Sequence, residues 1–364
     1  MKFACERNVL LKEISIAQEI IASKNVISIL SNIYLEVGNN SLTIKATDLK
    51  VNFETKLPVT VLEDGSATVF GDKFLGILSS APEGEMEFEC SDNKAKIKTS
   101  DKKANAQLKS MASDKYPEFP VSSAEYFDIP IKDFKEMVNQ TIFAVSVDET
   151  RYFMNGVFME KTDGKLVMVA TDGRRLAFAE KEEKNINDFS GVIIPPKILN
   201  VIVKRAGDEG LIAISVTNKI IFFRFGSYEL SSILLDGQFP NYRKVIPEEQ
   251  ENSLHVNRVE VLEALRWVSH MVEQKSHRVY IGLAPGVMKI YSEEGEIGEA
   301  NREIPCKYDR EEVTLALNYR YVEEPFRAMA CEEICIKFSG SSKAITIMPV
   351  PKRDFFHIVM PMQS

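Results

Sequence analysis

The sequence contains few of the residues that metal centres and disulfide scaffolds require. Its 364 residues include 5 cysteines, 4 histidines and 1 tryptophan. An odd number of scattered cysteines argues against the disulfide framework of a small exported protein. Cys331 and Cys335 are four residues apart, but no histidine or further cysteine lies close to them in the sequence. We therefore predict neither a metal site nor a cofactor.

Long apolar runs and catalytic motifs are also lacking. A membrane span needs a run of about 20 apolar residues, and no segment of this sequence comes near that length. Residues 1–7 do not resemble a secretory signal. We therefore expect a cytoplasmic protein that has no membrane partner. The patterns GxxxxGK[ST], GxGxxG, GxSxG and HExxH do not occur, so the sequence predicts no enzyme.

The length and the charge set further limits. A chain of 364 residues, 45% hydrophobic and 27% charged, has the composition of a globular protein with two or three domains. The net charge of −8 argues against a general nucleic-acid coat protein, because phosphate binding depends on Lys and Arg. The distribution of the basic residues therefore matters more than their number.

A repeated phrase divides the chain into three modules. Residues 42–49 read LTIKATDL, residues 166–173 read LVMVATDG, and a weaker third copy is predicted at residues 287–294. Each copy is an alternating strand that ends in a turn. Proline-containing segments at 116–120 and 238–247 mark the junctions. We predict domains at 1–124, 125–248 and 249–364.

Two amphipathic helices accompany each repeated strand. One precedes it and one follows it, and hairpins with short polar turns close each module. The predicted fold class is α+β, with three repeated domains in which two helices pack on antiparallel sheets.

Basic residues recur on the predicted helices. Lys73, Lys197 and Arg320 are predicted to occupy the same place in the three second helices. This pattern favours contact with a nucleic-acid backbone without sequence recognition, although each residue alone could be an ordinary surface charge. The other candidates on or near helices are Lys24, Lys132, Lys135, Lys204, Arg258, Arg266, Lys275 and Arg278.

Two segments of opposite charge suggest self-assembly. Residues 94–109 are rich in lysine, including Lys96, Lys98 and Lys103, whereas residues 290–303 are rich in glutamate, including Glu296 and Glu299. Complementary edges at opposite ends of the chain favour head-to-tail pairing. Two unrelated edges protected by charge would give the same pattern.

Four motifs together resemble the bacterial DNA polymerase III beta subunit family, the sliding clamps. They are residues 151–156 (RYFMNG), 170–177 (ATDGRRLA), 239–247 (FPNYRKVIP) and 359–362 (VMPM), and the resemblance covers the whole chain. It implies a processivity factor without catalytic activity: a ring-shaped head-to-tail homodimer that encircles duplex DNA. Arg151, Tyr152 and Phe153 would join the DNA-binding set, and Leu108, Met271 and Val272 would lie at the dimer interface.

The resemblance also implies a pocket between the second and third modules. There the polymerase III alpha subunit, the clamp loader, other polymerases and repair proteins would dock short apolar peptides. The matching positions are Met154, Thr171, Gly173, Arg174, Arg175, Leu176, Pro240, Lys244, Val245, Asn318, Tyr321, Val359, Met360, Pro361 and Met362. The sequence departs from the family pattern at Arg174, at Lys244 and at the final Gln363-Ser364. These departures bear on partner preference and on contacts of the tail.

Two alternatives differ from this reading. Arg174 and Arg175 could bind the anionic substrate of an enzyme, although no nucleophile or base accompanies them. The chain could also be a monomeric adaptor that uses only the peptide pocket, and its mass in solution would distinguish this case.

Overall fold

The computed structural model describes residues 1–21, 28–183, 186, 189–295 and 298–363. The chain divides into two compact units, residues 1–134 with 197–234 and residues 135–196 with 235–364. None of the helices in these described ranges is long and apolar enough to cross a membrane.

Six α-helices occur in the described residues. Their apolar faces pack inward, and the starts of two are capped: Asn257 accepts backbone N–H bonds at the start of α5, and Asn318 does so for α6. Pro196 opens α4, a position where the missing N–H group costs nothing. The helices are α1 (Arg7–Ile20), α2 (Gly71–Ser80), α3 (Ile131–Thr141), α4 (Pro196–Arg205), α5 (Arg258–Ser269) and α6 (Tyr319–Ala328).

The first unit is built on a 13-stranded sheet of order β10-β15-β16-β17-β4-β3-β2-β6-β9-β8-β7-β1-β5. Phe3, Phe53, Phe74 and Phe88 lie in its core and are nearly inaccessible to solvent. The strands are β1 (Lys2–Glu6), β2 (Asn32–Gly38), β3 (Ser41–Thr47), β4 (Val51–Pro58), β5 (Thr60–Glu63), β6 (Gly65–Phe70), β7 (Glu85–Ser91), β8 (Lys94–Thr99), β9 (Asn105–Met111), β10 (Phe127–Pro130), β15 (Leu211–Val216), β16 (Ile220–Phe225) and β17 (Tyr228–Ile233).

The second unit is built on a 12-stranded sheet of order β14-β11-β12-β13-β25-β24-β23-β18-β21-β20-β19-β22. Phe326 and Phe338 are among its fully buried side chains. The strands are β11 (Val157–Thr162), β12 (Lys165–Thr171), β13 (Arg175–Glu182), β14 (Phe189–Ile194), β18 (Asn252–Asn257), β19 (Arg278–Ala284), β20 (Val287–Tyr291), β21 (Asn301–Lys307), β22 (Val313–Asn318), β23 (Glu333–Phe338), β24 (Ile345–Val350) and β25 (Phe355–Val359).

Each sheet contains strands from two of the sequence modules. β17 pairs antiparallel with β4, with Leu230 opposite Phe53. β25 pairs in the same way with β13, with His357 opposite Ala177. A backbone strand pair therefore joins successive modules in each unit. The module boundaries at 124 and 248 remain a prediction.

The hairpin registers align the three modules. Gly38 lies opposite Ser41 and Thr162 opposite Lys165, and the third copy has the equivalent pair at 284 and 287. Met288, which is fully buried, is thus the counterpart of Leu42 and Leu166. The predicted alignment began the third copy at Val287 and so matched Val287 to Leu42 and Leu166. It is wrong by one residue, because Met288 holds that position.

The helix starts correct a second alignment. Lys197 and Arg320 are the second residues of α4 and α6, but Lys73 is the third residue of α2, where Asp72 stands second. The three basic residues do not share one helix position, so the repetition that favoured a common DNA-binding role is weaker than predicted.

Candidate peptide and nucleic-acid binding sites

Arg175 is the centre of the second unit's candidate site. Its Nε donates to Asp172 Oδ2 at 2.9 Å, its Nη1 pairs with Glu324, and its Nη2 donates to the carbonyl oxygen of Phe143 at 2.6 Å. The guanidinium also lies 4.5 Å from the ring centroid of Tyr321. Only 10% of the side chain is exposed. Its hydrogen-bonding capacity is therefore largely committed to the protein itself.

The turn before Arg175 is held by its own side chains. Thr171 Oγ1 donates to the carbonyl of Arg175 at 2.6 Å, and Asp172 Oδ1 accepts the backbone N–H groups of Arg174 and Arg175. Gly173 has a φ of +87° and an added Cβ would lie 3.1 Å from Arg151 Nη1. Glycine therefore suits this position, and the turn presents the exposed side chain of Arg174.

A buried polar chain supports this arrangement. Gln140 Nε2 donates to the Ala328 carbonyl at 2.8 Å, so its Oε1 accepts from His357 Nε2 at 3.1 Å. His357 is 1% exposed. Burial, followed by the nearby charge of Arg175, lowers the pKa of His357 to about 3. A neutral histidine thus lies behind the arginine, which sequence reasoning did not identify.

The structure brings members of two predicted sets into one cleft of about 390 Å³. Arg174, Arg175, Asn318 and Tyr321 of the predicted peptide pocket line it together with Arg151 and Arg320 of the predicted DNA-binding set. The rest of the lining consists of Asp172 and of residues that the sequence did not single out: Val145, Ser146, Val147, Asp148, His277 and Glu324. Burial, followed by the charge of Arg320, lowers the pKa of His277.

The segment 239–246 is anchored by aromatic contacts. Phe239 stacks on Phe158 with ring centroids 4.7 Å apart, and the Tyr242 hydroxyl donates to Glu160 at 2.6 Å. These anchors leave Lys244 and Val245 exposed, with Pro240 half-buried. Three residues predicted for the pocket are therefore presented by one anchored segment.

Three of the residues predicted for the peptide pocket are nearly inaccessible to solvent. Met154, Leu176 and Val359 are at most 5% exposed, because Leu176 and Val359 lie in the paired strands β13 and β25 and Met154 is buried in the core. They support the site from beneath. The predicted apolar residues that solvent reaches are Val245 and Met360, with Pro361 and Met362 half-buried. Met360 and Met362 are held by backbone bonds to Arg174 and Ala316.

Two residues predicted to bind DNA are committed to other partners. Lys197 Nζ lies 2.6 Å from both Asp48 Oδ2 and the carbonyl oxygen of Ile20. Arg258 donates to the carbonyls of Phe326 and Cys331, at and beyond the end of α6. Both cations therefore satisfy acceptors within the fold, and their role as phosphate ligands remains a prediction.

The remaining basic candidates differ in their surroundings. Lys204 pairs with Glu19 at 3.2 Å, Arg151 lies 3.6 Å from Asp148, and Arg278 donates to the Gln363 carbonyl. Lys135 is half-buried and has a partner of its own. Lys24 lies outside the described residues. Lys204 and Arg151 are nevertheless exposed, as are Lys73, Lys132, Arg266, Lys275 and Arg320, together with the 53% exposed ring of Tyr152; Phe153 is half-buried.

The residues predicted at the dimer interface lie on two separate elements. Leu108 is half-buried on β9, next to β8, which carries Lys96 and Lys98, and Lys103 lies in the exposed turn between the two strands. Met271 and Val272 follow α5 and are half-buried and buried, and Glu299 is exposed. Glu296 lies outside the described residues.

The fold defines a class of protein: a chain of three repeated modules in which helices pack on antiparallel sheets. Among the described residues, no group of three His, Cys, Asp or Glu side chains could hold a metal ion. The most nearly enzyme-like feature, Arg175, is committed to two carboxylates, which leaves the proposed anion-handling enzyme without support.

Comparison with known proteins identifies the family. Models of the N-terminal, central and C-terminal domains of the DNA polymerase III beta subunit match residues 1–120, 128–241 and 243–363. The chain is 44% identical to the beta sliding clamp of Treponema pallidum, over 100% of both chains. It is 30% identical to that of Chlamydia pneumoniae, over 100% of this chain and 99% of the relative.

A crystal structure agrees with these matches. The DnaN sliding clamp of Bartonella birtlesii bound to griselimycin superimposes with a TM-score of 0.93, at 26% identity and 100% coverage of both chains. The chain belongs to the DNA polymerase III beta subunit family, the beta sliding clamps. It is a DNA polymerase processivity factor and not an enzyme, and the predicted family, clamp-domain fold and non-catalytic function are confirmed.

Proposed function

We propose that two copies of this chain associate head to tail into a ring that encircles duplex DNA in the cytoplasm. The ring would slide along DNA and tether the polymerase III alpha subunit, the clamp loader, and other polymerases and repair proteins through the surface around Arg174 and Met360. Retention would then be topological, which reconciles a DNA partner with a net charge of −8.

The pattern of strand pairing supports the dimer. Two module junctions lie within the chain, β17 on β4 and β25 on β13. Among the described residues, 105–109 of β9 pair only with β8, and 301–305 of β21 pair only with β20. β9 is the counterpart of β17 and β25, and β21 is the counterpart of β4 and β13, the strands that meet at the two internal junctions. β9 and β21 would form a third junction, between two copies.

The internal junctions also supply a register for this third one. Met111 lies opposite Thr68, Leu235 lies opposite Ile193, and the backbone N–H of Met362 donates to the carbonyl of Ala316. Thr68, Ile193 and Ala316 are equivalent residues of the three modules, so Met111, Leu235 and Met362 are equivalent as well. By this alignment, the internal junction pairs Leu230–Phe53 and His357–Ala177 correspond to a pair between two copies. In that pair, Ala106 of one copy would lie opposite Ala300 of the other. In that register Lys103 faces Glu303, so the charges on the two edges are complementary.

Exposed cations on the first helices and nearby segments would contact DNA. Lys132 on α3, Arg266 on α5 and the segment with Arg151 and Tyr152 are exposed. Scattered contacts of this kind favour weak backbone binding without sequence readout, and weak contacts allow sliding.

Retention on circular DNA tests the proposal. After loading by a clamp loader onto a nicked circle, we expect a complex of two chains that remains bound in high salt and is released when the circle is cut. Retention that linearisation leaves unchanged would refute the topological mechanism. A single-chain mass at micromolar concentration would instead favour the monomeric adaptor.

Partner binding is tested separately. Met362→Ala should weaken binding of a polymerase-derived peptide, measured by calorimetry. It should leave the mass of two chains unchanged, because Met362 is bonded to Ala316 on β22, which β19 and β20 separate from β21. Unchanged peptide affinity in this variant would exclude the C-terminal segment from the site.

A further inference from the structure

We infer that Trp267 is the apolar anchor of the interface between two copies of this chain, where it packs against β9 and the end of α2 of the second copy. The inference rests on the proposed homodimer and assigns a residue that neither the sequence motifs nor the family match singled out. Trp267 lies on α5 with 62% of its surface exposed, the highest exposure of any large aromatic side chain among the described exposed residues.

The three first helices can be aligned residue by residue. The first residue of each donates its backbone N–H to a carbonyl that follows the second helix of the same module. These bonds are Arg7 to Gly84, Ile131 to Gly210 and Arg258 to Glu332. Since the equivalent strand residues before the helices also correspond, the tenth residues Ile16, Gln140 and Trp267 are counterparts.

Burial separates two groups of positions on these helices. The positions of Leu10, Glu13, Ile14 and Ala17 are buried in all three modules. The position of Trp267 behaves differently, because Ile16 is 0% and Gln140 is 3% exposed. A large apolar side chain is therefore exposed in α5 at a position that is covered in α1 and α3.

The contacts of α1 and α3 show what covers this face. Next to Ile16, Glu19 of α1 pairs with Arg205 at the end of α4, at 2.8 Å. Gln140 of α3 donates to Ala328 at the end of α6 and accepts from His357 of β25. Tyr228 of β17 also donates to Glu13 of α1 at 3.0 Å. In both cases, the second helix and the last strand of the following module therefore contact the face of the first helix that carries the tenth residue. Within the described residues, α5 has no such following module.

The second helix and last strand of the first module are α2 and β9. Within the described residues, no first helix of a preceding module packs on them, so they are available to cover α5 of a second copy. In the register above, Ala106 is the counterpart of His357, so Trp267 would face Ala106 of the second copy. A large side chain would thus meet a small one, whereas Gln140 and His357, of intermediate size, meet within the chain. Buried tryptophans at interface centres are frequent anchors of binding energy.

Tryptophan fluorescence reads this contact directly, because the chain contains 1 tryptophan. Emission and acrylamide quenching would be measured across a dilution series, with the mass determined by sedimentation at each concentration. We expect a blue-shifted, poorly quenched emission in the dimer that turns red as the mass falls to that of one chain.

Each other outcome has a distinct meaning. A dimer mass with the emission of an exposed tryptophan would overturn the inference and leave the dimer standing. A single-chain mass at every concentration would overturn the proposed dimer and the inference with it. A blue shift that appears only when duplex DNA is added would assign Trp267 to DNA instead.

Substitution supplies a second test. Trp267→Ala should raise the dimer dissociation constant by at least about 30-fold, as expected for an interface anchor, and Trp267→Phe should retain most of the affinity. Arg266→Ala, next to it on the same exposed turn, is the control and should leave the dissociation constant within a few-fold. Since Trp267 is exposed in the single chain, Trp267→Ala should keep its far-ultraviolet circular dichroism and melting as a monomer. An unchanged dissociation constant in Trp267→Ala would refute the anchor.

Discussion

The ammonium of Lys197 joins the carboxylate of Asp48 to the carbonyl of Ile20, at 2.6 Å from each. Arg175 makes the equivalent bridge in the second unit, between Asp172 and the carbonyl of Phe143. The two aspartates occupy the same Thr-Asp turn of successive modules. A cation therefore ties this turn to the end of the first helix in both units, although it comes from a different element in each.

The Lys197 bridge is expected to stabilise the fold. Burial opposes ionisation of Asp48, but bonds from Lys197 and the backbone outweigh it and lower the pKa of the carboxyl. Lys197→Ala leaves a carboxylate that is only 14% exposed without its cation. We expect a loss of about 1–2 kcal/mol in urea unfolding, after allowance for the partly exposed lysine. Lys73→Ala is the control, since Lys73 is 68% exposed and should change stability little. Equal effects of the two substitutions would contradict the structural role.

Substitutions of Arg175 and Arg174 are expected to affect stability and peptide binding differently. Arg175→Ala removes the cation between two carboxylates and should cost about 2–4 kcal/mol of unfolding free energy, with a loss of peptide affinity. Arg174→Ala removes an exposed side chain and should weaken peptide binding while the melting temperature stays within about 1 °C. Calorimetry and thermal unfolding of both variants would decide this. A stable Arg175→Ala protein would show that the bridge carries little energy.

The sequence predicted the threefold repeat and the helices well, because alternating and helical spacing are local properties. It misplaced Lys73 and Val287 by one residue, since register is fixed by hairpin pairs that a weak repeat does not define. It did not reveal the partners that Lys197 and Arg258 have within the fold. These partners are an aspartate 149 residues away and carbonyls within and beyond α6, contacts that no sequence spacing reveals. The Gln140–His357 pair was missed for the same reason.

The proposed register of the third junction is tested by cross-linking. Cysteines at directly opposite residues of antiparallel strands lie within the range of a disulfide. The double variant Ala106→Cys with Ala300→Cys should therefore give a covalent two-chain product under mild oxidation. Ala106→Cys with Arg302→Cys, displaced by two residues, should give much less, and the wild type reports on the native cysteines. Preferential cross-linking of the displaced pair would show that the register is wrong.

The buried histidine gives the protein a defined response to acid. The pKa of His357 falls to about 3 in the folded chain, against 6.5 for an ordinary histidine. Above pH 6.5 the residue is neutral in both states and adds no pH dependence. Between pH 6.5 and about 3, the unfolded chain binds a proton that the folded chain excludes. The free energy of unfolding should therefore fall by up to about 1.4 kcal/mol per pH unit from this residue alone.

His357→Gln isolates this contribution, because an amide can still donate to Gln140 but does not titrate in this range. The variant should start less stable at pH 7, since a new side chain replaces a packed ring, and should lose stability more slowly as the pH falls from 6.5 to 4.5. Carboxylates that titrate elsewhere contribute equally to both proteins, so the difference between the two slopes in urea unfolding is the measurement. Parallel slopes would mean that His357 becomes protonated in the folded chain, with a rearrangement of the Gln140 contact, and that burial and the charge of Arg175 do not keep it neutral.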